Sequence, residues 1–189
     1  MAQYAESAYI RGSNGSIAEV DDTLLRINPI TEFQQAVLDG RAYSWCGLNE
    51  NQDVGDTLLV VENNSTEHLL CIQRIVISIS AAGGGVCPVF TASGVTVAGS
   101  TSVVGTNLNR NSGQTCAGLC TSVTEETGNG EAASSWPNKC YMPQVQNTIP
   151  YIIEVNGAIR LPYDHLVGVD SIEEPTSEAV TIIGYFEPL

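Results

Sequence analysis

The apolar residues of this chain recur at every second position more often than at every third or fourth. In the stretch 69–80, Ile75, Ile77 and Ile79 alternate with Val76, Ser78 and Ser80, the period of a strand that turns one face to a core. Ahead of it, Thr57-Leu58-Leu59-Val60-Val61 is a continuous apolar run, and the polar segment Glu62-Asn63-Asn64-Ser65-Thr66-Glu67 between the two is turn material. The pattern predicts a hairpin. Further strands are expected over 86–91, 95–97, 102–104, 148–155, 158–161 and 179–186, each bounded by Gly, Pro, Asn or acidic residues. Many strands with no helix between them predict an all-β fold, a jelly-roll-like β-sandwich.

Residues 1–45 follow a different pattern. Gly12-Ser13-Asn14-Gly15-Ser16 is turn chemistry, and the apolar residues around it (Tyr4, Tyr9, Ile10, Ile17, Val20, Leu24, Leu25, Ile27) are sparse and paired. They predict an extended N-terminal arm with one or two short strands. Thr31-Glu32-Phe33-Gln34 reads as a capping box and Gly40 as a stop, so a short helix is expected over 32–39 with Phe33 and Val37 on one face. Residues 46–189 are assigned to the sandwich. Within it, 107–147 is turn-rich and without sustained period, and is expected to be a long loop of the kind that is often functional or held by a partner.

Length and composition narrow the function. A chain of 189 residues supports one core and an arm. Its 15% charged residues lie well below the roughly 25% of an average soluble domain. Seven basic residues against 21 acids give a formal charge of −14, which makes a phosphate backbone a repelled partner and argues against nucleic-acid binding. The first residues lack a basic and an apolar signal region, and the uncharged run 75–109 is crowded with Gly, Ser and Thr, so neither a signal peptide nor a membrane span is expected. The six cysteines (Cys46, Cys71, Cys87, Cys116, Cys120, Cys140) are too dilute for a disulfide scaffold and read mostly as small buried hydrophobes made in a reducing cytoplasm.

Chemistry-bearing residues are few. His68 lies in the hairpin and His165 follows Tyr163-Asp164, with no nucleophile-elbow pattern to serve. The adjacent acids Glu125-Glu126 and Glu173-Glu174 point to opposite strand faces and cannot flank one bond. Cys116, Cys120 and Cys140 are read as free thiols or a loop disulfide rather than as zinc ligands, because the double Cys-x₂-Cys spacing is absent. Asn49-x-Asn51-x-Asp53 imitates a calcium loop, but Gly55 falls one place late and Val60 stands where a bidentate Glu belongs. Gly83-Gly84-Gly85 lacks the Lys and helix of a phosphate loop and reads as a turn or bulge. No catalytic, metal or cofactor site is expected, and the overlapping sequons in Asn63-Asn64-Ser65-Thr66 are explained by the turn. Arg110 is the only charged residue between Arg74 and Glu125, a segregation that implies covered strands or a subunit interface.

Several stretches resemble a family of small structural proteins of tailed bacterial viruses: Gly12-Ser13-Asn14-Gly15 with Ala18-Glu19-Val20-Asp21, Ala42-Tyr43-Ser44-Trp45, Leu58-Leu59-Val60-Val61 with Asn63-Asn64, the segment 105–113, and Glu126-Thr127-Gly128-Asn129. By analogy with capsid decoration (cement) proteins, the resemblance implies a non-enzymatic virion component. It would be a β-sandwich made in the host cytoplasm and seated on the head exterior as a homotrimer, with the major capsid protein as partner. In this reading the arm residues Ile10, Arg11, Ile17, Leu24, Leu25, Arg26 and Ile27 grip the shell. Cys116, Cys120 and Cys140 depart from the family pattern. The alternative is a tail or head-fibre protein that binds a host glycan through exposed aromatics, for which Trp45, Trp136, Tyr141 and Tyr151 are candidates.

Overall fold

A computed structural model describes residues 9–11, 17–21, 24–26, 30–50, 57–80, 84–94, 100–125, 138–172 and 177–189. The arm holds β1 (Tyr9–Arg11), β2 (Ile17–Asp21) and β3 (Leu24–Arg26), which form an antiparallel sheet of their own. Helix α1 (Glu32–Leu38) and strand β4 (Ala42–Glu50) follow. Next come β5 (Thr57–Asn63), β6 (His68–Ser80), β7 (Gly85–Val86) and β8 (Val89–Ser93). The middle of the chain contributes β9 (Ser100–Ser102), β10 (Thr106–Asn107), β11 (Cys120–Glu125), β12 (Asn138–Tyr141) and β13 (Gln144–Val145). Three strands close the fold: β14 (Tyr151–Leu161), β15 (His165–Asp170) and β16 (Ser177–Pro188).

Two antiparallel sheets make the body, one in the order β10-β4-β16-β6-β14 and the other β12-β8-β15-β5-β11-β9, while β7 and β13 pair as a small ribbon. The pairing is nested. β4 pairs with β16, β5 with β15, β6 with β14 and β8 with β12, as in one long hairpin rolled over on itself. Strands β9 to β11 are inserted between β8 and β12 and extend both sheets on the opposite side.

The core lies between the sheets, and strand alternation fills it. Ile75, Ile77 and Ile79 of β6 point inward beside Tyr43, Trp45, Leu59, Val61, Val167, Val169, Ile182 and Phe186, while Val76, Ser78 and Ser80 are half-buried on the other face. Burying each large aliphatic or aromatic side chain contributes about 1.5–3 kcal/mol over leaving it exposed. A smaller cluster of Val60, Phe90, Ala92 and Leu166 occupies the outer face of the second sheet. The run 57–61 is therefore continuously apolar because β5 is covered on both faces.

The helix forms as its cap predicts. Thr31 Oγ1 accepts from the Gln34 N–H at 3.1 Å, Gln34 Oε1 accepts from the Thr31 N–H at 2.9 Å, and Gly40 leaves the helix with φ of +73°. Ala36, Phe33 and Val37 pack against Ala42, Cys71 and Tyr185, with the Phe33 and Tyr185 rings 5.9 Å apart. Arg41 bonds the Asp39 carboxylate at 2.8 Å and also donates to the Phe186 carbonyl, which ties the helix exit to β16.

Several expectations differ from what is observed. β5 and β6, expected as a hairpin, lie in different sheets, β5 pairing with β11 and β15 and β6 with β14 and β16. The boundary expected at 45/46 falls inside β4, because Tyr43 and Trp45 are core residues and α1 packs on the sandwich. The segment 107–147, expected as a long loop, contains β10 to β13. These strands are short and polar, so their ladders leave no periodic apolar signal. The strands expected over 148–155 and 158–161 are one strand, β14, whose register shifts where Asn156 and Gly157 adopt φ of 52° and 75°. The strand expected over 102–104 is β9, which ends at Ser102, and that over 95–97 lies outside the described residues.

Candidate functional site

Strand β14 is an edge of the first sheet, so one side of its backbone has no strand partner among the described residues. It also turns apolar side chains outward: Tyr151 is 43% and Ile152 54% exposed, and Ile149 just before it 57%. At the end of β12, an edge of the second sheet, Tyr141 and Met142 are 37% and 58% exposed. The two edges enclose a groove of about 350 Å³ lined by Tyr141, Met142, Pro143, Tyr151, Ile152 and Glu154. Unpaired edges of this length and composition are templates for association, and folds usually blunt them with charge. Here Glu154 is neutralised by Arg74 at 2.7 Å across the strand pair, so the groove carries little net charge.

Of the aromatics proposed to face solvent, Tyr141 and Tyr151 do so and share this groove. Trp45 is a correction. It is fully buried, on the inward face of β4 with its ring 6.1 Å from that of Tyr43, and offers nothing to a glycan. Trp136 lies outside the described residues.

The three cysteines singled out by sequence do not form one set. Cys140 sits exposed on β12, and β8, β15 and β5 separate that strand from β11, where Cys120 begins. Four strand spacings at about 4.8 Å put roughly 19 Å between them, far beyond disulfide reach. Cys116 and Cys120 do meet. The Cys116 carbonyl accepts from the N–H of Leu119 at 2.9 Å and of Cys120 at 3.4 Å, a tight turn that brings both side chains to the inner end of a second pocket. This pocket has a volume of about 470 Å³ and is lined by Val103, Gly105, Asn107 and Gln114 besides the two thiols.

Trp45 lies in the core behind Gly105. A Cβ on Gly105 would stand 2.5 Å from Trp45 Nε1 and 2.7 Å from Cys116 Sγ, so only glycine lets the indole approach the sulfur. The indole N–H has no aligned acceptor and acts on the sulfur as a dipole. The Cys120 thiol donates to the Cys116 carbonyl at 3.9 Å, and the Cys116 thiol to the Gly105 carbonyl at 3.7 Å. The neighbouring Cys120 thiol, against the cost of burial and together with backbone groups and the indole, brings Cys116 down to about 6. The same pairing, together with burial, pushes the Cys120 thiol upward. Cys71 shows the opposite case: burial and the Glu187 carboxylate raise it to about 11. Cys71 and Cys87 are buried and Cys46 is exposed, so the expectation of mostly buried cysteines holds for three of the six, Cys116 being the third.

No protein-family model, curated protein or solved structure matches this chain.

Both histidines have structural partners. His68 Nδ1 lies 3.1 Å from Ser65 Oγ and its ring stands edge-on to Phe186. His165 Nδ1 meets the Tyr163 carbonyl at 3.0 Å in the turn where Asp164 has φ of 62°. Asn63 of the first sequon is fully buried, its amide donating to the carbonyls of His68 and Leu161 at 2.8 Å each. Among the described residues no three His, Cys, Asp or Glu side chains form a metal-holding group. Asn51, Asp53, Glu126, Glu173 and Glu174 lie outside those residues, as does Ile27. Of the other arm residues, Ile10 and Arg11 lie on β1, opposite Ala18 and Ile17 of β2, and Leu24, Leu25 and Arg26 form β3.

Sequence reasoning missed Met142 and Ile152 of the groove, the exposed Ile149 just before β14, and the partnership of Trp45 and Gly105 with Cys116. The first three sit in short apolar runs broken by Pro143 and Pro150, and only the meeting of two sheet edges gives Met142 and Ile152 a common surface. Trp45 and Cys116 are distant in the chain, and no local pattern signals their contact.

Proposed function

We propose that this chain is a non-enzymatic virion component, a capsid decoration protein that binds the outside of a tailed-phage head as a homotrimer and stabilises it. The observation that carries this reading is the uncovered apolar groove between the β14 and β12 edges, a surface built for a protein partner, here a second copy. The nested strand order supports it, since jelly-roll sandwiches of this kind recur in viral capsid proteins. So do the structural employment of both histidines and the stretches that resemble tailed-phage structural proteins. A specific interface needs roughly 800 Å² per subunit, so in a three-fold ring the groove would have to be extended by its flanking edge strand. The arm, with Ile10, Arg11, Ile17, Leu24, Leu25, Arg26 and Ile27, then engages the major capsid protein, and three tethered arms act at high effective concentration.

Co-sedimentation with expanded capsids tests the proposal, comparing the intact chain with one lacking residues 1–28. The intact protein is expected to sediment with the shell, and the shortened one to stay in solution with an unchanged melting temperature. An intact chain that does not bind ends the decoration reading. A shortened chain that melts unchanged yet still sediments ends the role of the arm.

A second reading is favoured by Tyr141 and Tyr151 flanking one groove beside Glu154, an arrangement suited to stacking on a sugar ring. A fibre protein of that kind occurs in tens of copies per particle or fewer, a decoration protein in hundreds, so copy number separates them.

A further inference from the structure

We infer that Cys116 and Cys120 form a redox-active dithiol site, in which Cys116 takes up a neutral low-molecular-weight disulfide and Cys120 resolves the adduct into a Cys116–Cys120 bond.

Three independent features converge on it. The two cysteines bracket one tight turn and line the same pocket, and Cys120 Sγ lies 3.9 Å from the Cys116 carbonyl oxygen, so side-chain rotation is enough to bring the sulfurs together. A pocket of about 470 Å³ opens onto them, large enough for the organic part of a small disulfide. The buried Trp45 Nε1, without an aligned acceptor, faces the Cys116 sulfur through the gap that Gly105 leaves, and stabilises negative charge there. The low ionisation range of Cys116 agrees with this arrangement, as does the high one of Cys120, which keeps the second sulfur protonated until the first has reacted. No lining residue of the pocket is an acid or a base apart from the thiols, and the chain as a whole carries −14. Both facts favour an uncharged reagent over an anionic one.

The reaction balances without a further reactant. The Cys116 thiolate attacks one sulfur of R–S–S–R, a mixed disulfide forms, and R–S⁻ leaves. Cys120 gives its proton to that thiolate and attacks Cys116 Sγ, the Cys116–Cys120 bond forms, and the second R–S⁻ departs. Two protein sulfurs are oxidised by two electrons in all, and one disulfide is reduced to two thiols.

The test uses the full chain with Cys46→Ser and Cys140→Ser, which silence the two exposed thiols. Hydroxyethyl disulfide is the probe and mass spectrometry the readout. The expected product is a chain lighter by two hydrogens, with the bond mapped to Cys116–Cys120. With Cys120→Ser added, or Cys120→Ala as a second variant, the Cys116 mixed disulfide should accumulate instead. In the chain that keeps Cys120, the initial rate with the probe should level off above about pH 6, where an ordinary thiol keeps accelerating. Glutathione disulfide, an anion, should react more slowly than the neutral probe. Melting curves confirm that each variant is folded. A rate that climbs steadily through pH 8 to 9 as for an unperturbed thiol, a failure of the Cys120 variants to trap the adduct, or preferential reaction at Cys71 or Cys87 overturns the inference. A faster reaction with glutathione disulfide overturns the assignment to a neutral reagent.

Discussion

The tip of the Phe90 ring fills the side-chain position of Gly168, its direct cross-strand partner: a Cβ at Gly168 would stand 2.2 Å from Cζ and 2.8 Å from both Cε atoms. The aromatic ring fills the space that a side chain on β15 would otherwise take. It thereby joins Val60, Ala92 and Leu166 in the outer cluster of the second sheet.

Gly168→Ala should therefore destabilise the fold by about 1–3 kcal/mol, the range for overpacking a well-filled site. Chemical denaturation measures it. In a Phe90→Leu background the same change should cost clearly less, since the two residues are coupled. Equal costs in both backgrounds would show that the ring is not the obstacle.

Asn63 joins the β5–β6 turn to the end of β14 through two carbonyls, while its Oδ1 accepts from the Ser65 N–H at 2.9 Å. Asn63→Ala leaves these buried groups unsatisfied at roughly 1–3 kcal/mol for each one that water cannot reach. A drop in the denaturation midpoint is expected, together with faster amide exchange at Ser65. Unchanged stability would mean that the turn stands without the amide.

Burial first, and then the neighbouring Asp164 charge, raise the Glu62 carboxyl above the usual glutamate range. A carboxyl with a raised folded value loses stability as pH climbs through its unfolded range to its folded one, so at neutral pH the ionised group opposes folding. Glu62→Gln should raise the melting temperature at neutral pH. The gain should fade on acidification through the ordinary glutamate range, where the wild-type carboxyl is protonated in both states. A gain that persists at acid pH would point to packing instead.

Ile152→Lys places a charge on the exposed face of the β14 edge, opposite Val76 of β6. If the chain assembles through this groove as proposed, light scattering at micromolar concentration should show an oligomer for the intact protein and a monomer for the variant, with the melting temperature of the subunit little changed because the site is more than half exposed. An assembly that survives Ile152→Lys together with Met142→Lys would place the interface elsewhere.

Much of the architecture was legible in the chain alone, and the residues that carried it are those whose signals are local. The alternation of Ile75, Ile77 and Ile79 determined which face of β6 is core, since a strand repeats every two residues and one wrong register would expose all three. Thr31 and Gln34 determined where the helix starts, because the cap is satisfied within one turn. Sequence could not decide what depends on residues far apart in the chain. Trp45 reads as a solvent-seeking aromatic until β4 is placed between β10 and β16, where its inward face meets the core. Cys116, Cys120 and Cys140 read as one set until the strand order sends Cys140 to the opposite edge of its sheet. The groove of Tyr141, Met142 and Ile152 exists only because two sheet edges close on one another. Hydrophobic period and capping act over a few residues and are written in the sequence, whereas sheet order and the pockets it creates follow from long-range pairing, in which many short, polar strands have equivalent local patterns and only mutual packing selects the partner.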